Sequence, residues 1–143
     1  MVSSAAAAAQ QQQISVVYES GSGASRSALM MYDASDAALT TGLGFRLHFN
    51  SALIEILRIE LLIEDSSLGV QILEDVEDLD KDPGTDRYIN AAWVDLSGYW
   101  PDEKALPAAL YRVLYDTSLG NNTVVFSASV SATAAGYSWA FEP

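Results

Sequence analysis

Apolar and polar residues alternate along most of this chain. Ile14, Val16 and Tyr18 alternate with Ser15, Val17 and Glu19. Leu43, Phe45, Leu47 and Phe49 face one way, while Gly44, Arg46 and His48 face the other. A period of two is the mark of a strand buried on one face only. The same pattern predicts a strand over Tyr88 to Asp95, with Ile89, Ala91 and Trp93 together, and another over Leu110 to Tyr115. Val124, Phe126, Ala128 and Val130 share a face, as do Tyr137, Trp139 and Phe141 near the end. Leu29 to Tyr32 and Val70 to Leu73 are short extended segments. Leu53 to Ile63 fits a helix or buried strands, and its strand neighbours favour strand. Turn signals such as Gly21-Ser22-Gly23 and Leu119-Gly120-Asn121-Asn122 separate these runs. Many short strands with regular turns predict an all-β chain, an antiparallel two-sheet β-sandwich. A parallel α/β fold needs helices between its strands, and at most one is visible in the pattern.

Residues 1–13 break the alternation. Five alanines and then Gln10 to Gln13 offer almost nothing to bury. The reading is a low-complexity N-terminal tail or arm over 1–13 and a single sandwich domain over 14–143. The segment has no basic start and no leucine-rich stretch, so it does not read as a secretory signal. The tail is expected either to be disordered or to order against a protein partner.

Composition narrows the chemistry. The chain has 143 residues, enough for one domain with a core, and half of them are hydrophobic. Net charge is −12, from 7 basic and 19 acidic side chains. Binding to nucleic acid runs on Lys and Arg neutralising phosphates, so nucleic acid is not an expected partner. Anionic membranes are disfavoured for the same reason. There is no cysteine and a single histidine, which excludes thiol chemistry and a multi-histidine metal site within one chain. No apolar run approaches the ~18 residues of a membrane span.

The sharpest chemical signal is Asp78-Leu79-Asp80-Lys81-Asp82-Pro83-Gly84-Thr85-Asp86. Aspartates at 78, 80 and 82 alternate along a tight loop, and Asp86 can close the ring after the Pro-Gly turn. Ca²⁺ takes 6–8 oxygen ligands in flexible geometry, so the expected ligands are Asp78, Asp80, Asp82 and Asp86. Pro83 stands where such loops usually place glycine. Glu74, Asp75 and Glu77 add carboxylates nearby. The competing reading is a solvated acidic loop without an ion, and Mg²⁺ is a further alternative. His48 reads as a polar strand-face residue beside Arg46. A Ser-His-Asp triad is conceivable, but no Gly-x-Ser-x-Gly elbow flanks any serine. Tyr99 and Trp100 sit in a loop before Pro101 and are candidate ligand or partner contacts, or else a lid over the core. Trp93 and Trp139 read as core. Asn121-Asn122-Thr123 matches a glycosylation acceptor and, without an export signal, reads as a turn.

The order of these features resembles a known family. Thr41-Gly42-Leu43-Gly44-Phe45-Arg46-Leu47-His48-Phe49-Asn50-Ser51 is similar to a stretch of cohesin-like sandwiches. The acidic loop, Ala92-Trp93, Trp100-Pro101, Leu110 to Tyr115 and Ala134-Ala135-Gly136-Tyr137 follow in matching order. The combination resembles the cohesin-like modules of large cadherin-type surface proteins of marine bacteria, and of structural proteins of marine cyanophages. The resemblance implies a cohesin or immunoglobulin-like sandwich used for display, adhesion or assembly, with no catalytic residues. The initial Met and the lack of an export signal favour a stand-alone virion component, such as a capsid decoration or accessory protein on the virion surface. The alternative is an adhesin repeat or carbohydrate-binding module at a cell surface. A small hydrolase is the third reading.

Overall fold

In the computed structural model the described residues are 10–19, 25–63, 67–101, 105–119 and 125–143. They form β1 (Gln11–Glu19), β2 (Ser25–Ala34), β3 (Gly42–Phe49), β4 (Ile54–Leu61), β5 (Ser67–Glu74), β6 (Arg87–Val94), β7 (Ala108–Thr117), β8 (Ser127–Ala132) and β9 (Ser138–Glu142). One 3-10 turn, Ser35–Ala37, follows β2. The two sheets have strand orders β4-β7-β2-β1-β9 and β5-β6-β3-β8. The expected sandwich is therefore present. One pair departs from antiparallel: β1 runs parallel to β9, with Gln11 opposite Ser138 and Ile14 opposite Phe141.

The core is built by the alternation. Leu43, Phe45, Leu47 and Phe49 of β3 face Ile14, Met30, Tyr32, Tyr111 and Val113 of the other sheet in one buried cluster. Phe45 lies 6.2 Å from Trp93, 6.0 Å from Tyr111 and 5.9 Å from Trp139 between ring centroids. Such offset aromatic contacts add about 0.5–1.5 kcal/mol each beyond area burial.

The ambiguous segment around Leu53 to Ile63 is strand β4. Its mixed pattern has a local cause. Register shifts between Ile56 and Arg58, so Ile56 opposes Tyr115 and Ile59 opposes Val113. Both isoleucines then pack on the core, while Leu57 at the bulge is 50% exposed. An extra residue in one strand breaks period two without breaking the ladder.

The expected tail boundary falls inside β1. Gln12 and Gln13 pair with Ala34 and Asp33 of β2, and Gln11, Gln12 and Gln13 pair with β9. Gln12 is wholly buried. Its Nε2 donates to Tyr32 Oη at 2.9 Å, Gly42 O at 2.9 Å and Thr40 Oγ1 at 3.3 Å, and its Oε1 accepts from Ala134 N at 2.8 Å. A glutamine in a low-complexity run offers little apolar surface to bury, yet here the side chain ties four chain segments together. Residues 1–9, the alanine-rich part of the predicted tail, lie outside the described residues.

Gly42 opens β3 with φ +125, and an added Cβ would meet Trp93 O at 1.9 Å. Only glycine fits there. Among the described residues no helix is long and apolar enough to cross a membrane.

Candidate functional site

The acidic segment joins β5 to β6 and is held at its base like a hairpin. Asp75 N donates to Asp86 O at 2.9 Å, and Asp86 N donates to Phe49 O at 3.2 Å. Inside the loop, Lys81 N donates to Asp78 O and Thr85 N to Asp82 O, both at 3.1 Å. Asp78 and Lys81 take positive φ to make these turns. Aspartate tolerates this conformation because its short polar side chain bonds locally.

The expected calcium ligands do not form one ring. Asp82 turns back on the loop, accepting from Gly84 N at 2.8 Å. Asp86 points to the turn before β4, accepting from Ser51 N at 2.7 Å and from the Ser51 hydroxyl. These bonds pull the Asp86 carboxyl below its ordinary value. Asp78 Oδ1 is buried without a hydrogen-bond partner. Asp80 turns inward over the small sheet, where it meets Ser127 and His48. The physical reason is competition: Asp80, Asp82 and Asp86 each have a nearer donor in the loop or in a facing segment than a shared centre would supply.

What the fold does gather is His48, Asp75 and Asp80. Among the described residues their candidate ligand atoms all lie within 4.8 Å of one another. His48 stands on the outer face of β3, opposite Tyr88 of β6 and Ser127 of β8. An outward residue at mid-sheet is ordinarily wet. The acidic loop instead folds over it, and His48, Asp75 and Asp80 keep side-chain exposures of 0%, 0% and 2%. His48 Nδ1 lies 3.1 Å from Asp75 Oδ2 and 3.8 Å from Asp80 Oδ2. Asp75 Oδ2 lies off the direction in which an Nδ1 proton points and Asp80 Oδ2 is beyond hydrogen-bond distance, so Nδ1 makes no well-formed hydrogen bond. On the other side of the ring, Nε2 is 2.7 Å from Ser129 Oγ. Ser129 Oγ also accepts from Arg46 Nη1 at 3.1 Å.

The carboxylates are themselves held. Asp75 accepts from Leu79 N at 3.0 and 3.2 Å. Asp80 Oδ2 accepts from Thr85 Oγ1 and Ser127 Oγ, each at 2.7 Å. Burial works against the Asp80 anion, but these two hydroxyls and His48 outweigh it, and its carboxyl titrates below the ordinary value. Burial likewise disfavours the His48 cation. It outweighs the pull of Asp80 and Asp75, so the imidazole titrates below its usual value.

Sequence reasoning placed Asp80 in the site and missed His48. It noted Asp75 only as a nearby carboxylate. The alternation correctly set His48 outward; nothing in the pattern shows which strand a long loop will cover.

The aromatic pair divides. Tyr99 is 62% exposed and remains a surface residue. Trp100 is wholly buried, with its ring centroid 4.5 Å from Tyr32 and 5.8 Å from Trp93. Trp100 is thus core and not a partner contact, because Thr40 and Trp100 bond backbone to backbone and turn the indole inward. Trp93 is buried and Trp139 packs against the core, as expected. Val94 at the end of β6 and Leu96 beyond it are 40% and 92% exposed, so three large apolar side chains, with Tyr99, stand out within six residues.

No protein-family model matches the chain, and no curated protein matches it by sequence. Solved structures do match in fold. One is the seventh ScaB type I cohesin from Pseudobacteroides cellulosolvens, at 9% identity and a TM-score of 0.53, covering 92% of this chain and 87% of that one. Another comes from the CaDoc0917–CaCohA2 complex, at 10% identity and a TM-score of 0.55, covering 92% of this chain and 95% of that one. At such identities the likeness is one of architecture, and the chain is a cohesin-like β-sandwich.

Proposed function

We propose that this chain is a non-enzymatic protein-interaction module, displayed on the surface of a larger assembly. The observation that carries the reading is the exposed apolar group Val94, Leu96 and Tyr99 at one end of the small sheet. A leucine left 92% exposed beside an exposed tyrosine costs solubility, and a covered partner surface is the ordinary reason for one. One of the similar folds was crystallised as a two-protein complex, which supports a protein partner here. The finer proposal is a virion role, a capsid decoration or accessory protein, with residues 1–9 reaching a neighbouring subunit.

Two alternatives fit less well. A carbohydrate platform needs flat aromatic faces in the open, and Trp100 is in the core, leaving Tyr99 alone. An adhesin repeat shares the fold but needs the same protein surface. As for hydrolysis, Ser129, His48 and Asp75 do stand in line. His48 is closed off from solvent, and its Nδ1 proton direction misses Asp75, so the relay that activates a serine is not set up.

The test is mass spectrometry of virions or cell envelopes purified from the source, with the wild-type chain and a Leu96→Asp/Tyr99→Ala variant. The proposal expects stoichiometric incorporation of the wild type and loss of the variant, with an unchanged melting temperature. A chain absent from particles and envelopes ends the display reading. Retention of the variant moves the contact elsewhere.

A further inference from the structure

We propose that His48, Asp75 and Asp80 form a binding site for a divalent first-row transition-metal ion of the zinc type. The ion would be held by the His48 Nδ1 lone pair and one oxygen of each carboxylate. This site differs from the oxygen-only calcium loop that the aspartate spacing suggests, and it is independent of the display function proposed above.

Geometry supports it first. A tetrahedral ion with bonds of about 2.0–2.1 Å holds its ligand atoms about 3.3–3.4 Å apart. Nδ1 to Asp75 Oδ2 is 3.1 Å and Nδ1 to Asp80 Oδ2 is 3.8 Å, which bracket that spacing. The second observation is independent of the acidic cluster. Nδ1 is wholly buried and makes no hydrogen bond, although a carboxylate oxygen is 3.1 Å away. Asp75 Oδ2 lies to the side of the axis along which the ring nitrogen points, and Asp80 Oδ2 stands farther off. A proton on Nδ1 is poorly served by that arrangement. An ion on that axis can take the nitrogen lone pair and still reach a carboxylate oxygen beside it.

The surrounding shell matches. Metal-bound histidines almost always donate their other ring N–H to an oxygen, which fixes the tautomer. His48 Nε2 has Ser129 Oγ at 2.7 Å, and donation there leaves Nδ1 free to coordinate. Thr85, Ser127 and the Leu79 amide hold the two carboxylates in place. Two buried carboxylates beside one imidazole also carry more negative charge than a single imidazolium offsets. The donor set selects the ion class. Imidazole suits zinc, cobalt, nickel and copper, whereas Ca²⁺ and Mg²⁺ favour all-oxygen sites.

The experiment uses the untagged full chain, stripped with a chelator. Zn²⁺ is followed by calorimetry, Co²⁺ by visible absorption, and the ring nitrogens by ¹⁵N NMR. His48 is the only histidine, so its two nitrogen signals are unambiguous. One equivalent should bind, with Co²⁺ giving the absorption of a low-coordinate site. Zn²⁺ should shift Nδ1 and leave Nε2 protonated. At a hundredfold excess over Kd the melting temperature should rise by about 8 °C. Asp75→Asn and Asp80→Asn should each weaken Zn²⁺ more than about 100-fold, and Ser129→Ala by about 10–100-fold. Asp86→Asn should leave affinity unchanged, since its carboxylate is committed to Ser51. If a ligand variant does not fold, the wild-type nitrogen shifts still decide. No stoichiometric Zn²⁺ binding, or a response at Nε2 instead of Nδ1, overturns the proposal. So does Ca²⁺ binding that displaces Zn²⁺, survives His48→Gln and is lost in Asp82→Asn.

Discussion

Gln12 shows how much one polar residue can hold. A buried amide with donors and acceptors all engaged stabilises through its partners, and its removal leaves them dry and unpaired. Gln12→Leu keeps the volume and strips the bonds from Tyr32, Thr40, Gly42 and Ala134. It should cost about 2–4 kcal/mol in chemical denaturation. A loss under about 0.5 kcal/mol would mean that these groups find water instead. Trp100 and Tyr99 give a paired contrast one residue apart. Trp100→Ala empties a wholly buried indole site and should cost about 3–5 kcal/mol. Tyr99→Ala should change stability by less than about 0.5 kcal/mol, since its ring lies mostly in solvent.

At the scale of elements, β3 depends on its first residue. Gly42→Ala pushes a methyl into the Trp93 carbonyl at a backbone angle that L residues avoid. It should destabilise by at least about 3 kcal/mol by thermal or urea melting, and a near-neutral result would show that β3 and β6 can part there. The β5–β6 loop and the turn before β4 are joined through charge. Hydrogen bonds from Ser51 lower the Asp86 carboxyl, and the Ser97 hydroxyl does the same for Asp95. Arg112 lowers Glu19, through a 2.8 Å bond from its Nε. A carboxyl lowered in the folded state adds stability that is fully present above its unfolded value near 4 and lost as pH falls through the folded value. The melting temperature should therefore be insensitive to these groups between about pH 7 and 5 and decline below about pH 4. Ser51→Ala should flatten that decline; an unchanged acid limb would remove Asp86 from the account.

For the whole molecule, the chain's start is part of the sandwich. β1 is bonded on both sides, antiparallel to β2 and parallel to β9. Removing residues 1–13 takes Gln11, Gln12 and Gln13 from that junction and should lower the melting temperature well beyond the effect of removing residues 1–9. Equal melting curves for the two truncations would show that β9 closes on Ile14 without them. A net charge of −12 also sets the behaviour of the whole surface. Mutual repulsion among exposed carboxylates weakens with salt, because charges further apart than about 8 Å are screened at physiological ionic strength.

Alternation by itself determined that this is a two-sheet β-sandwich with Phe45, Trp93 and Trp139 inside, because side-chain direction along a strand is local. It also set His48 on the outer face of β3. Where turns dictate direction, local reading left both answers open: Trp100 could be a partner contact or a lid over the core, because a loop residue has no periodicity to place it, and the structure puts it in the core. The Gln12–Ala134 bond and the β1–β9 pairing were invisible because they join residues more than 120 positions apart. The same holds for the candidate metal centre. Spacing put Asp78, Asp80, Asp82 and Asp86 in one loop, but Asp80, Asp82 and Asp86 turn to separate donors that the folded chain sets around them. Only the tertiary structure lays the loop across β3, bringing Asp75 and Asp80 to His48 and burying a charge cluster that no local pattern contains.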